Sequence, residues 1–291
     1  MRAIVFVVDE NLTIPFKVMF ASLEENSQIS KMVPIYILHE QGKIKPETRV
    51  DLEEFIRNKG YNNTHFVSVD IDNFCNLLLI NNNDHVTKST YVRLFLNNFL
   101  PLNITSVLYL DVDLLILNEI NSLYNCQIDQ PIAAVNHYSI KDEIRLWGPN
   151  GGRYFQAGVL LLDMQYYRNN EIDKVALEVL KSRKDIIKWH DQDVLNIIFE
   201  NRWFPLEYRY NATSKVLNNI NYNHFDSISI VHFEGENKPW KLSSNRHFTN
   251  AWLKYYYQLY EKKWYHIMLR LLFRVYNRII DTIYSKLKYR S

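Results

Sequence analysis

Two aspartates, Asp111 and Asp113, interrupt an otherwise apolar run from Ser106 to Ile116. A run of this kind reads as a buried strand, and a carboxylate buried in it is costly unless a cation compensates the charge. Two carboxylates one residue apart therefore suggest a metal. A break in the strand at Asp111 would turn both side chains toward one divalent ion, which in turn can hold the pyrophosphate of a nucleotide. Asp-x-Asp alone is short enough to arise by chance. Its weight depends on the elements that carry it and on what else the chain supplies.

Those elements alternate. The residue pattern predicts strands at 2–8, 33–38 and 65–69, with helices at 14–26 and 46–58 between them. Pro46 suits an early helical position, where its missing N–H is not needed. A helix at 89–99 leads into the carboxylate strand, and further strands are expected at 131–136, 158–163 and 227–233. Helices are expected at 171–184, 191–200 and 244–261. Strand and helix alternating over the first two thirds favour an α/β sheet with helices on both faces. With 291 residues, 47% of them hydrophobic, the chain can bury one large domain with appendages. Its seven glycines form neither a Gly-x-Gly-x-x-Gly nor a Walker-type loop, so phosphate would have to be neutralised by metal and basic side chains.

Charge is unevenly placed. The formal net charge is +2, yet eight Lys or Arg and one acid, Asp281, fall between Lys262 and Ser291. The preceding body carries 26 basic against 31 acidic residues, and no nucleic-acid partner is expected. Two cysteines, Cys75 and Cys126, cannot make a zinc site alone and fit a reducing compartment. The opening strand meets Asp9 too soon for a signal peptide or membrane anchor, so a cytoplasmic place is expected. Triplets such as Asn103-Ile104-Thr105 reflect an Asn-rich composition and are given no glycosylation role.

Five short motifs in order resemble the retaining glycosyltransferases of family 8, the family of bacterial lipooligosaccharide galactosyltransferases and, more distantly, glycogenin. Asp9-Glu10-Asn11 after the first strand resembles the family's nucleotide loop. Thr90-Tyr91-Val92-Arg93-Leu94, followed by Val107 to Asp113, resembles its Arg-bearing helix and Asp-x-Asp turn. Tyr154-Phe155-Gln156-Ala157-Gly158-Val159 resembles its Phe-Asn-Ala-Gly-Val segment, with Gln156 departing from the family's Asn. His190-Asp191-Gln192-Asp193 matches its Asp-Gln-Asp helix start. His232-Phe233-Glu234-Gly235-Glu236-Asn237-Lys238-Pro239-Trp240 is close to its His-x-x-Gly-x-x-Lys-Pro-Trp.

The resemblance implies a GT-A type, Rossmann-like mixed sheet flanked by helices, and a metal-dependent enzyme that moves a hexose, galactose or glucose, from a UDP-sugar to a saccharide acceptor. By it, Asp111, Asp113 and His232 hold Mn²⁺ or Mg²⁺. Asp9 and Asn11, with a backbone group near Val7 or Val8, meet the uracil or ribose. Arg93, Val112, Gln156 and Ala157 join the donor site. Lys238 and the N–H of Gly235 meet the β-phosphate as charge builds on it. Asp191 and Gln192 hold sugar hydroxyls, with the Gln192 carbonyl dipole facing the anomeric centre. A front-face route is favoured, and a double displacement through Asp193 is the alternative. Each residue also has a plainer role: Asp9 or Asp191 as a helix cap, Arg93 as a solvated side chain, His232 as a core histidine.

The expected domains are a catalytic body, 1–261, and a basic tail, 262–291. In the tail Trp264, Ile267, Met268, Leu271, Leu272, Val275, Ile279 and Ile283 recur at helical spacing, while Arg270, Arg274 and Arg278 form a row on another face. This amphipathic basic helix suits the surface of an anionic membrane, which would place the enzyme on its inner face beside a glycolipid acceptor in lipopolysaccharide or surface-glycan synthesis. Packing on the catalytic body or on a partner is the alternative. The rival functions are a non-catalytic nucleotide-sugar binder and a metal-dependent phosphatase. Oligomeric state has no signal in the sequence.

Overall fold

The computed structural model describes residues 1–71, 88–149, 151–219, 222–241, 244 and 247–260, with positions 268, 269, 272 and 276 of the tail. Cys75 and the rest of the expected tail helix lie outside the described residues. The chain forms two compact units, Met1–His232 and Phe233–Ser291.

The first unit begins β1 (Arg2–Val7), a 3-10 turn at Glu10–Leu12, α1 (Thr13–Asn26), β2 (Ile35–Glu40), α2 (Pro46–Asn58) and β3 (Thr64–Val69). After a 3-10 stretch, Lys88–Phe95, come α3 (Leu96–Phe99), β4 (Ser106–Leu110), β5 (Leu114–Ile116) and α4 (Asn121–Asn125). Next are β6 (Ile132–Asn136), α5 (Ile140–Trp147), β7 (Phe155–Asp163), α6 (Met164–Asn169), α7 (Ile172–Ser182) and α8 (His190–Ile198). β8 (Trp203–Leu206), α9 (Ser214–Asn219) and β9 (Ile230–His232) complete it. The second unit holds α10 (Thr249–Tyr260).

Seven strands form one sheet in the order β3-β2-β1-β4-β7-β6-β8. β1, β2, β3 and β4 run parallel, whereas β7 lies antiparallel to both β4 and β6, so the sheet is mixed, as expected. Alternate side chains on β1 and just past its end enter opposite cores: Ala3, Val5 and Val7 join the layer with Tyr91, Leu94 and Leu195, while Ile4, Phe6 and the following Val8 join Phe16, Phe20 and Leu52. Both faces are therefore covered, which explains the unbroken apolar runs.

Three expectations shift. The helix predicted at 89–99 is a 3-10 stretch closed by one α turn. Tyr91 through Phe95 are all buried, so this segment has no solvent face of the kind an amphipathic α-helix keeps. β7 starts at Phe155 rather than at 158, because Phe155 and Gln156 pair with β6 across a register shift. β8 has no counterpart among the predicted strands; its Pro205 is tolerated because the strand lies at the sheet edge, with β6 as its partner. Among the described residues no helix is long and apolar enough to cross a membrane.

Candidate active site

The apolar run does break at the carboxylates. β4 ends at Leu110, the Asp111 N–H still donates to the Gly158 carbonyl at 2.8 Å, and the chain then turns over Asp111 to Asp113. β5 leaves the large sheet and pairs antiparallel with β9, with Leu114 opposite His232. That register brings an imidazole from late in the chain to the two aspartates. Ligand atoms of Asp111, Asp113 and His232 all lie within 4.8 Å of one another. His232 Nε2 is 3.2 Å from Asp113 Oδ1 and 3.9 Å from Asp111 Oδ2.

Gly158 on β7 closes this group from below. A Cβ there would sit 2.3 Å from His232 Cε1 and 2.9 Å from Asp111 Oδ2, so only glycine lets the strand pass. Two carboxylates and one imidazole, cradled this closely, form a donor set suited to a divalent ion. Burial pushes the Asp111 carboxyl above the ordinary carboxylate range; Asp113 adds to this, against the pull of Arg93 and His232.

Arg93 is the cation at the centre. Its Nη2 donates to Asp111 Oδ1 at 2.8 Å, its Nε pairs with Asp191 Oδ2 at 2.8 Å, and its Nη1 donates to the Ala157 carbonyl at 2.5 Å. The guanidinium also stacks 4.5 Å over the Tyr109 ring. Burial opposes its charge, yet Asp111 and Asp191 outweigh burial and raise its pKa. Arg93 thus ties the 3-10 stretch to the end of β4, to β7 and to α8, which no solvated arginine would do. Thr90 adds a 2.6 Å bond to Asp191 Oδ1.

The α8 start carries the other expected residues. Gln192 Oε1 accepts the Ala157 N–H at 3.0 Å, and its Nε2 donates to Tyr154 Oη at 2.9 Å. One lone pair of that carbonyl remains beyond this bond. Asp193 has no exposed surface and accepts from both Nη atoms of Arg145, from Tyr154 Oη at 2.7 Å, and from the N–H groups of Lys188 and Trp189. Asp142 also pairs with Arg145, at 2.9 Å, and accepts from Ser139 and from Trp189 Nε1. Burial alone would raise the Asp142 pKa, but these donors win and hold it below the usual range.

A cavity of about 280 Å³ opens beside the cluster. Its wall joins Val7, Asp9, Asn11 and Leu12 to Ser89, Thr90, Arg93, Tyr109, Asp111, Val112 and Asp113. Asp9 keeps its plainer role as well, capping the 3-10 turn by accepting from the N–H groups of Asn11 and Leu12. Val8 does not line the cavity: its N–H donates to the Leu38 carbonyl and its side chain lies in the opposite core. Gln156, expected at the donor sugar, turns its carbonyl inward to the Gly158 N–H and to Asn211 Nδ2. Gly235 and Lys238 belong to the second unit, where Gly235 has a left-handed φ of 72° and Lys238 Nζ donates to the Phe233 carbonyl at 2.8 Å. Tyr109, Arg145 and Asn211 were missed as site residues; only their burial or bonding marks them, and neither is visible in a residue type.

A family model described as Glycosyl transferase family 8 matches residues 3–243. General stress protein A of Bacillus subtilis is 27% identical over 268 residues, which cover 87% of this chain and 92% of that protein. The lipopolysaccharide 1,2-glucosyltransferase of Escherichia coli K12 is 29% identical over 167 residues, 53% of this chain and 49% of that enzyme. The solved structure of galactosyltransferase LgtC, in complex with donor and acceptor sugar analogues, superposes with a TM-score of 0.77 at 23% identity, covering 88% of this chain and 95% of that one. At that identity the likeness establishes the shared GT-A fold.

Proposed function

The chain belongs to glycosyl transferase family 8, and from that premise we propose that it is a metal-dependent, retaining hexosyltransferase using a UDP-sugar and a saccharide acceptor. The observation that carries this reading is the Asp111, Asp113 and His232 cluster, whose two aspartates line a cavity together with Asp9, Asn11 and Arg93. Relatives named for glucosyl and galactosyl transfer support a hexose donor. Asp111, Asp113 and His232 would hold Mn²⁺, which their imidazole suits better than Mg²⁺, and the ion would supply positive charge to the departing diphosphate.

The protein's own groups account for the rest. Asp9 and Asn11 bind the nucleoside, and Asp191, held by Arg93 and Thr90, receives a donor-sugar hydroxyl. Gln192, fixed at both ends by Ala157 and Tyr154, aims its remaining lone pair at charge developing on the anomeric carbon. The bond from the anomeric carbon to the phosphate oxygen breaks with its electron pair on that oxygen. The acceptor hydroxyl attacks from the same face and passes its proton to the departing phosphate. The five donors around Asp193 support this front-face route, because a carboxylate with its lone pairs so occupied is a poor nucleophile.

The tail is proposed to bind an anionic membrane surface on its cytoplasmic side, near a glycolipid acceptor. Eight basic residues against one acid support this, as do the helical positions Met268, Leu272 and Tyr276, four apart and 52%, 61% and 61% exposed.

The test is calorimetry of UDP binding with Mn²⁺, followed by release of UDP from UDP-glucose and UDP-galactose. Asp113→Asn is expected to abolish the metal-dependent part of UDP binding. Unchanged affinity in that variant would remove the proposal.

A further inference from the structure

We propose that Gln156 and Asn211 are positioning residues whose hydrogen bonds decide which nitrogen of His232 faces the carboxylates. The inference deepens the metal-dependent reading and rests on it for its purpose, but its geometry stands separately. The argument begins at a group with no freedom of assignment. The backbone N–H of Gly158 can only donate, so the Gln156 atom it meets is the carbonyl Oε1. That same oxygen lies 2.8 Å from the side chain of Asn211. An oxygen acceptor fixes the facing Asn211 atom as Nδ2, the amino end. Oδ1 of Asn211 is therefore the end that meets His232 Nδ1, at 3.0 Å.

An amide oxygen facing a ring nitrogen requires a proton on that nitrogen. Nδ1 carries it, and Nε2 is left to present its lone pair where Asp113 Oδ1 lies 3.2 Å away. The orientation has no easy escape. Gln156 is 7% exposed, His232 3% and Asn211 0%, so flipping either amide would set like dipoles against each other away from water. The backbone beside Asn211 is pinned too: the Ala212 N–H donates to Ile230 at 2.9 Å, and the His232 N–H donates to Ala212 at 3.0 Å. This pairing holds the two backbones that carry the Asn211 and His232 side chains beside each other.

Gln156 replaces the Asn of the family motif, and the structure assigns its oxygen to this relay rather than to a sugar. Side chains that orient a metal-bound histidine through its other nitrogen usually change metal affinity by about 10–100-fold when removed.

The experiment uses the full chain with ¹⁵N-labelled histidine, studied by long-range ¹H–¹⁵N correlation well above the ordinary imidazole pH range, with and without diamagnetic Mg²⁺. The His232 signals are identified by their loss in His232→Asn. In the wild type, Nδ1 is expected to be the protonated nitrogen, and Mg²⁺ is expected to move Nε2. In Asn211→Leu and Gln156→Met the Nδ1 proton preference should be lost, and the Mn²⁺ Kd measured by calorimetry should rise by about 10–100-fold. A neutral wild-type ring protonated on Nε2 overturns the proposal, even if neither variant folds. So does a folded Gln156→Met that keeps the Nδ1 proton and the wild-type Mn²⁺ affinity. An Nδ1-protonated wild type that binds neither Mn²⁺ nor Mg²⁺ would uphold the relay and refute the metal reading instead.

Discussion

Gly158→Ala is the most informative single change, because one added carbon tests the whole cluster. The added Cβ would lie 2.3 Å from His232 Cε1, 2.7 Å from Nδ1 and 2.9 Å from Asp111 Oδ2. Ordinary carbon contacts are about 3.5–4.0 Å, so the ring must retreat by more than about 1 Å. Ligand positions in a metal site hold to within about 0.2 Å, so such a retreat takes His232 out of ligation. At least a tenfold loss of Mn²⁺ affinity, about 1.4 kcal/mol, is expected. The metal-free protein should also lose about 1–3 kcal/mol from overpacking. Gly158 lies within a strand and has no left-handed φ, so the cost is contact rather than backbone strain. Calorimetric titration with Mn²⁺ and urea denaturation in chelator give the two numbers. Repeating the denaturation in a His232→Ala background isolates the contact, since removing the ring should shrink the Gly158→Ala cost. A folded Gly158→Ala variant with wild-type Mn²⁺ affinity would refute the reasoning.

Two other expectations follow from the α8 network. Tyr154→Phe removes the hydroxyl that joins Gln192 Nε2 to Asp193, and should lower kcat about tenfold while leaving UDP affinity unchanged; a loss confined to UDP affinity, read by calorimetry, would count against the role given to Gln192. Asp142 is held below its ordinary carboxylate pKa, so its stabilisation is complete above the unfolded value and is lost as pH falls through the folded one. Urea denaturation of wild type and Asp142→Asn should then differ by about 1.5–3 kcal/mol near neutrality, and the gap should close below about pH 4. A gap constant across that range would remove the assignment.

The sequence made the chemistry legible where residue type and chain order coincide. Asp111 and Asp113 stand out because charge inside an apolar run demands an explanation, and the strand break they imply is present. His232 was reached only through its motif; nothing in spacing reveals that β9 pairs with β5 so as to place it opposite Leu114. The antiparallel entry of β7 between β4 and β6 is equally silent, because a strand buried on both faces has the same composition in either direction. Asn211 and Arg145 carry no local signal at all. Their importance comes from burial and partners supplied by segments far away in the chain.

Charge balance explains why the cluster takes the form it does. Asp111, Asp113 and Asp191 bring three negative charges to one partly buried site, and Arg93, touching two of them, returns a single positive one. With His232 neutral, the deficit is two charges. Protonation could relieve part of it, and burial does drive the Asp111 carboxyl that way, but a protonated acid is a worse metal ligand. The proposed dication removes the whole deficit at once, and it does so where Arg93 has no remaining reach, on the side of Asp111 that faces Asp113 and His232. Arg93 and the metal then have separate tasks. The guanidinium holds Asp111 Oδ1 and Asp191 in fixed relation, so the end of the site proposed for the donor sugar stays ordered whether or not the proposed metal is bound.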